Sequence, residues 1–314
     1  MTTPGSNFIG INVSGTQARA ALVDRAGALL ETKAGQFAPK ELIPQLAALV
    51  EELGSRGPIA SIGVAIPGLV NRQTDQVIAP RDVPPKMFED LHGALMRATG
   101  LRVELENDAN AAAYGEYKVG AGRGARNMFY MMIGNGIGGA IVLDGKLWTG
   151  ASGFAGEVGH ITIDTEGLEC ICGNTGCLET VASAPSIVRR ARERLNRDST
   201  SSLSRLALNK SFTADDVAHQ AKEGDDFALM MIERTGKYIG TGVASVINLL
   251  NIELVVLGGG VMDAGSLILN PIIQEVKRRA FQPCFEATEI VAAKLGLDGA
   301  PIGAALLARD AATE

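Results

Sequence analysis

"FIGINVSGTQARAALVD", residues 8–24, and "YMMIGNGIGGAIVLD", residues 130–144, decide the fold when laid over one another. Each runs from an apolar segment through a turn of small residues into a second apolar segment that ends on an aspartate, Asp24 or Asp144. Aliphatic and β-branched residues flanking a Ser-Gly-Thr or Gly-Asn-Gly turn predict a strand pair. The two turns fall opposite each other to within one or two residues, so one domain plan is used twice. Only two copies are visible, which predicts two similar α/β lobes across a cleft and not a solenoid.

The segments around these pairs fit the same plan. "KELIPQLAALVEELGSRG" (40–57) carries apolar residues at helical spacing with a glycine after its last turn, and "IASIGVAIPG" (59–68) reads as a buried strand. "LRVELENDANAAAYGEYKVG" (101–120) passes from an alternating strand into an alanine-rich helix, with Asn107, Asp108 and Asn110 at the corner where helix caps belong. Thr213 and Asp216 resemble a capping box. We expect an N-terminal lobe over residues 1–118, completed by a C-terminal helix at 300–314, and a larger lobe over 119–299. "GAGRGA" (120–125) would be the hinge.

With 314 residues, 46% of them hydrophobic and 20% charged, the chain can bury a full core. A net charge of −6 and the lack of any Lys/Arg-rich block argue against nucleic acid as a partner. The start "MTTPGSNFIG" is unlike a signal peptide, and no run approaches eighteen unbroken apolar residues, so a cytoplasmic protein with no membrane partner is expected.

"GNGIGG" matches G-x-G-x-x-G at Gly134, Gly136 and Gly139, but a short aliphatic segment follows where the dinucleotide fingerprint needs a helix. Glycine turns between strands are either plain tight hairpins or cradles whose backbone N–H groups approach a phosphate. Two of them in a duplicated arrangement favour the cradle. "LGGGVMDAG" (257–265) is a third turn, read as leading into a helix.

Three of the four cysteines crowd into "ECICGNTGCLE" (169–179), shortly after His160. Disulfides are rare in a reducing compartment, so Cys170, Cys172, Cys177 and His160 are expected to hold a structural, tetrahedral Zn²⁺. Such a metal would draw Glu157, His160 and Glu179 together, with one imidazole nitrogen on zinc and the other turned to a ligand.

The stretches "GINVSGTQARAALVD", "ENDANAAAYGE", "GNGIGGAIVLDGK", "GASGFAGEVGHITID", "CICGNTGCLE" and "LVVLGGGV" occur in the order and spacing of the ROK family of bacterial sugar kinases, repressors and uncharacterised reading frames. The chain resembles that family over almost its whole length. The resemblance implies an α/β, two-lobed, actin-like ATPase fold (sugar kinase/RNase H-like), with duplicated domains around a central cleft. It implies ATP-dependent phosphorylation of a hexose, most like a glucokinase acting on the 6-hydroxyl of glucose, with Asp108 as general base. A plain helix N-cap is the other reading of Asp108. Gly68, Asn107, Asp108, Glu157, His160 and Glu179 then resemble the sugar-binding set. Asn12, Gly15, Thr16, Asn135 and Gly136 take the phosphates and Mg²⁺, and Gly258, Gly259 and Gly260 the adenosine side. The resemblance also implies a homodimer or homotetramer.

The family's first phosphate turn usually reads Asp-x-Gly-Gly-Thr, whereas here it is Asn12, Val13, Ser14, Gly15, Thr16. A neutral amide oxygen replaces a carboxylate that suits Mg²⁺. A catalytically weak or inactive sugar-binding sensor is therefore a second expectation, and an N-acetylhexosamine kinase a third. No helix-turn-helix segment stands ahead of "FIGINVSG", which speaks against a repressor.

Overall fold

A computed structural model describes residues 6–71, 74, 76–78, 87–195, 201–209 and 211–312. The first strand pair is β1 (Asn7–Ser14) and β2 (Gln17–Val23), antiparallel, with Ser14 opposite Gln17. Gly15 and Thr16 are left as the turn, and Gly15 takes φ 58°, a conformation glycine adopts without steric cost. β3 (Leu29–Gln36) follows, then α1 (Leu42–Gly54), whose Leu42, Leu46, Val50 and Leu53 form one buried stripe. β4 (Ile59–Ile66) runs parallel to β1. A small hairpin, β5 (Leu69–Asn71) with β6 (Gln76–Ile78), and α2 (Leu91–Thr99) lead to β7 (Arg102–Asn107) and α3 (Asp108–Val119).

β8 (Met128–Ile133), β9 (Ile137–Leu143) and β10 (Lys146–Trp148) open the second copy. Four helices follow the cysteine loop: α4 (Glu179–Ala182), α5 (Ala184–Leu195), α6 (Ser202–Asn209) and α7 (Ala214–Lys222). Thr213 and Asp216 do form a reciprocal capping box on α7. The long α8 (Asp226–Leu250) is capped by Asp225, and β11 (Leu254–Gly258), α9 (Ser266–Arg279), α10 (Gln282–Glu286), β12 (Glu289–Ala292) and α11 (Gly299–Ala311) complete the chain. The glycine turn after β11 does not enter α9 directly. A 3-10 turn, Gly260–Ala264, intervenes, and Gly265 at φ 65° separates the two.

The duplication is plain in the strand orders, β3-β2-β1-β4-β7 and β10-β9-β8-β11-β12. In the first sheet β1–β2 is antiparallel and β1–β4 and β4–β7 are parallel; in the second β9–β10 is antiparallel and β8–β11 and β11–β12 are parallel. The described residues form two compact units. One holds those up to Ala125, Ala140–Ala155 and those from Lys294 onward; the other holds Arg126–Gly139 and Gly156–Ala293. "GAGRGA" thus belongs to the first unit, as does all of α11, and the chain re-enters that unit at Lys294.

In the first unit Ile9, Ile11, Ile62, Val64 and Leu46 are fully buried between the sheet and α1. α11 lies against β1, β4 and α3. It sits so close that a Cβ on Gly10 would fall 1.8 Å from the Pro301 carbonyl oxygen and one on Gly63 1.9 Å from that of Ala304. Glu116, 1% exposed near the end of α3, accepts backbone N–H groups from Ala121 (2.7 Å), Lys294 (2.8 Å) and Leu295 (2.7 Å). No described helix is long and apolar enough to cross a membrane. Gly63→Ala is expected to destabilise by about 3 kcal/mol or more, because the clash is with helix backbone. Gly35→Ala, where an added Cβ meets nothing within 4 Å, is the control, and urea unfolding of both variants checks the contrast.

Candidate active site

In the first unit the polar residues cluster past the carboxyl ends of the parallel strands β1, β4 and β7, the edge at which open α/β sheets bind ligands. Asn107 ends β7 in extended conformation (φ −63°, ψ 143°), and its Oδ1 accepts the Asn110 N–H at 3.0 Å. Asn107 is therefore the N-cap of α3, and Asp108 is its first helical residue. The cap reading of Asp108 is excluded by its neighbour. Asp108 Oδ1 accepts from the Ala109 N–H (2.9 Å) and from Asn107 Nδ2 (3.2 Å), so the carboxylate is held in one orientation at the positive end of the helix. Asn107 Nδ2 also donates to the Gly68 carbonyl at 2.9 Å, bringing together two residues far apart in sequence.

Beneath them lies a pair that motif reading passed over. Glu106 is 3% exposed, and its Oε1 accepts from the Asn107 N–H (2.9 Å) and Asn110 Nδ2 (3.0 Å). The signal was available: a glutamate ending an apolar strand and an asparagine inside an alanine-rich turn are costly to bury unless they satisfy each other. At the other end of this edge, Asn12 on β1 has a buried Oδ1 with no hydrogen-bond donor among the described residues. Ser14 and Gly15 are exposed, and space is open around Gly15.

The second unit repeats the arrangement. Residues 134–136 form the turn after β8, and beside it Gly258 ends β11 and Gly259 and Gly260 follow. A Cβ on Gly259, which has φ 89°, would fall 2.3 Å from the Ile133 carbonyl oxygen, so two strand ends meet there with no room for a side chain. Glu179 at the start of α4 accepts the Ile137 N–H through Oε2 at 2.7 Å, and an added Cβ on Gly136 would approach that oxygen to 2.7 Å. The carboxylate after the cysteine loop is thus tied to the glycine turn. An open cavity of about 250 Å³ lies alongside, lined by Asn135, Glu179, Thr180, Cys170 and Arg189 among others.

His160 closes a 3-10 turn, Val158–His160. The side-chain donor atoms of His160, Cys170, Cys172 and Cys177 all lie within 4.8 Å of one another. His160 Nδ1 is 3.5 Å from Cys170 Sγ, and Cys172 Sγ is 3.7 Å from Cys177 Sγ. A tetrahedral zinc with sulfur at about 2.3 Å and nitrogen at about 2.0–2.1 Å sets S···S near about 3.8 Å and S···N near about 3.6 Å. The cluster therefore has the spacing and donor set of a closed site for a thiophilic divalent metal. Burial pushes the Cys177 thiol up to about 12, whereas the Asn174 backbone N–H lowers the exposed Cys172. His160 Nε2 points the other way, 3.9 Å from Glu157 Oε2. Glu157 is crowded by protein although its side chain is 41% exposed, and its pKa is raised by desolvation, with His160 opposing and Glu179 adding to the rise. Glu157, His160 and Glu179 are thus gathered in this unit. Asp108, Asn107, Gly68, Asn12, Gly15 and Thr16 belong to the other.

Two α/β units with this duplicated strand order and glycine turns at the strand ends define the actin-like ATPase fold of the sugar-kinase class. The ROK family profile matches residues 8–311, and the chain belongs to the ROK family. It is 36% identical to the glucokinase of Halalkalibacterium halodurans, over 96% of this chain and 94% of that protein. A ROK family glucokinase from Streptomyces griseus, solved with glucose and AMPPNP, superposes with a TM-score of 0.87 at 32% identity, covering 97% of this chain and 100% of that one. A ROK family transcriptional regulator homologous to the E. coli Mlc protein superposes with a TM-score of 0.86 at 30% identity, covering 98% of this chain and 79% of that one.

Purified protein is expected to carry one tetrahedral metal per chain, and Cys172→Ser to lose it, as read by elemental analysis. Sugar affinity should fall with it. Sugar binding that persists in metal-free Cys172→Ser would sever the coupling between the metal loop and Glu157, His160 and Glu179.

Proposed function

We propose that this chain is an ATP-dependent hexose kinase, acting on the 6-hydroxyl of glucose with Asp108 as the general base. The observation that carries the reading is the fixed Asp108 carboxylate. Asn107 takes over the capping role, and two donors hold Asp108 Oδ1, so the group is oriented for proton transfer and is not spent on ending the helix. In this reading Gly68, Asn107, Glu157, His160 and Glu179 grip the sugar hydroxyls. Carboxylates and an imidazole nitrogen are directional acceptors and donors that suit a polyhydroxylated ligand.

The backbone donors of Gly15, Thr16, Asn135 and Gly136 would hold the phosphates, with Gly258 to Gly260 toward the adenosine. Asn12 is the residue that would face hydrated Mg²⁺, and its buried acceptor oxygen without a donor fits a metal-bound water. Bound Mg²⁺ supplies charge neutralisation on the transferring phosphoryl group. Zn²⁺ on His160, Cys170, Cys172 and Cys177 would be structural, leaving His160 Nε2 and Glu157 to position the sugar. A cytoplasmic homodimer or homotetramer belongs to the same proposal. ADP release with Mg-ATP and a panel of hexoses tests it: turnover on glucose is expected, and Asp108→Asn should lower kcat about 10²–10⁴-fold. Turnover on an N-acetylhexosamine alone would reassign the substrate.

A second reading, a sugar-binding sensor with little phosphotransfer, is favoured by Asn12, because a neutral oxygen holds Mg²⁺ less firmly than a carboxylate. If the kinase reading holds, Asn12→Asp should lower the half-saturating Mg²⁺ concentration several-fold. An unchanged Mg²⁺ dependence would remove Asn12 from the metal site, and glucose binding without turnover in both proteins would establish the sensor.

A further inference from the structure

Arg190, on α5, is a buried cation with no carboxylate partner among the described residues. Its residue is 8% exposed, its Nη2 donates to Thr235 Oγ1 on α8 at 2.5 Å, and its guanidinium carbon lies 5.3 Å from the centre of the Tyr238 ring. Its Nε–H is buried with no partner among the described residues. Burying a guanidinium costs several kcal/mol unless a counter-charge and a full set of acceptors repay it, and buried donors are almost always satisfied. A hydroxyl and an aromatic face supply neither a full negative charge nor the missing acceptor.

The surroundings add positive charge. The groups that most influence Arg190 are burial itself, then the Tyr238 phenol, then Arg234, Arg189 and Arg194. Burial brings Arg190 down to about 10, with the three neighbouring arginines pushing the same way. Arg194 is one helical turn along α5 from Arg190, and Arg234 one turn from Tyr238 on α8, so each pair shares a helix face. The Arg190 contacts to Thr235 and Tyr238 show that these faces oppose one another. Arg189 differs: its Nη1 binds Glu193 and its Nη2 the Thr180 carbonyl. It is paired and lines the cavity near Asn135, whereas Arg190 is turned about 100° round the helix from it.

We propose that Arg190, Arg194, Arg234 and Tyr238 form a binding site for a phosphate-type oxyanion between α5 and α8. Three guanidinium groups call for a dianion. The free Nε–H of Arg190, beside a fork already oriented by Thr235, presents the planar donor that tetrahedral oxyanions accept. Tyr238 can donate its phenolic proton to a further oxygen. The site stands whether or not the kinase reading holds. Inorganic phosphate and the phosphate group of a hexose phosphate share this chemistry.

The test is calorimetric titration of the full chain at constant ionic strength with potassium phosphate and, separately, glucose 6-phosphate. Potassium chloride is the blank. One saturable site is expected for at least one ligand. Saturation by inorganic phosphate identifies the free ion as sufficient, and saturation by glucose 6-phosphate alone identifies an esterified phosphate. Arg234→Gln and Arg194→Gln, at partly exposed positions that leave the Thr235 contact in place, should each weaken it about tenfold or more, in line with a lost charge-assisted bond. Arg190→Gln should abolish it. Absence of saturable heat with either ligand overturns the proposal. So does binding of wild-type affinity in both Arg234→Gln and Arg194→Gln, because the ion would then be held by the glycine turns.

Discussion

One buried carboxylate fixes the path of the chain in the first unit. Glu116 takes three backbone N–H groups, from Ala121 just past α3 and from Lys294 and Leu295 just before α11. Three orphan donors and a buried charge would each cost on the order of a kcal/mol or more if left unpaired, and together they satisfy one another. The consequence reaches the site. α11 begins where Glu116 places it and then lies on the backbone of β1, β4 and α3 through glycine contacts. The same helix α3 carries Asp108 at one end and Glu116 near the other. The position of Asp108 relative to the Gly15–Thr16 turn is therefore set by α11 and its anchor and not by local propensity.

In the second unit the organising charge is Glu179. It binds the N–H of Ile137 beside the glycine turn and adds to the rise that desolvation gives the Glu157 pKa. Both roles depend on the cysteine loop, which brings Cys177 and α4 back onto the turn that ends at His160. Cys177 is wholly buried and Cys170 nearly so. The imidazole of His160 stands between the two requirements, with Nδ1 toward the sulfurs and Nε2 toward Glu157.

Asn12 shows why the fold by itself does not fix the function. Enzymes and transcriptional regulators share this scaffold, as the two solved relatives show. The Asn12 amide oxygen, buried with no donor among the described residues, carries no formal charge where a carboxylate would. Function on a shared fold is decided by such local chemistry.

Much of this was legible in residue order. The paired glycine turns predict the duplicated sheets because alternation and turn chemistry are local properties, and the cysteine spacing after His160 predicts that these four side chains gather because they are close by connectivity. The strand-to-helix corner likewise placed Asp108 within one residue of its helical position. Other features came only from tertiary structure. Glu106 and Asn110 look like ordinary polar residues until both are found buried against each other, Glu116 looks like one more helix charge until the returning chain meets it, and Arg190 looks like a surface arginine until α8 covers it. Each depends on segments distant in sequence packing together, and burial is what turns a solvated polar group into one that must find its partner.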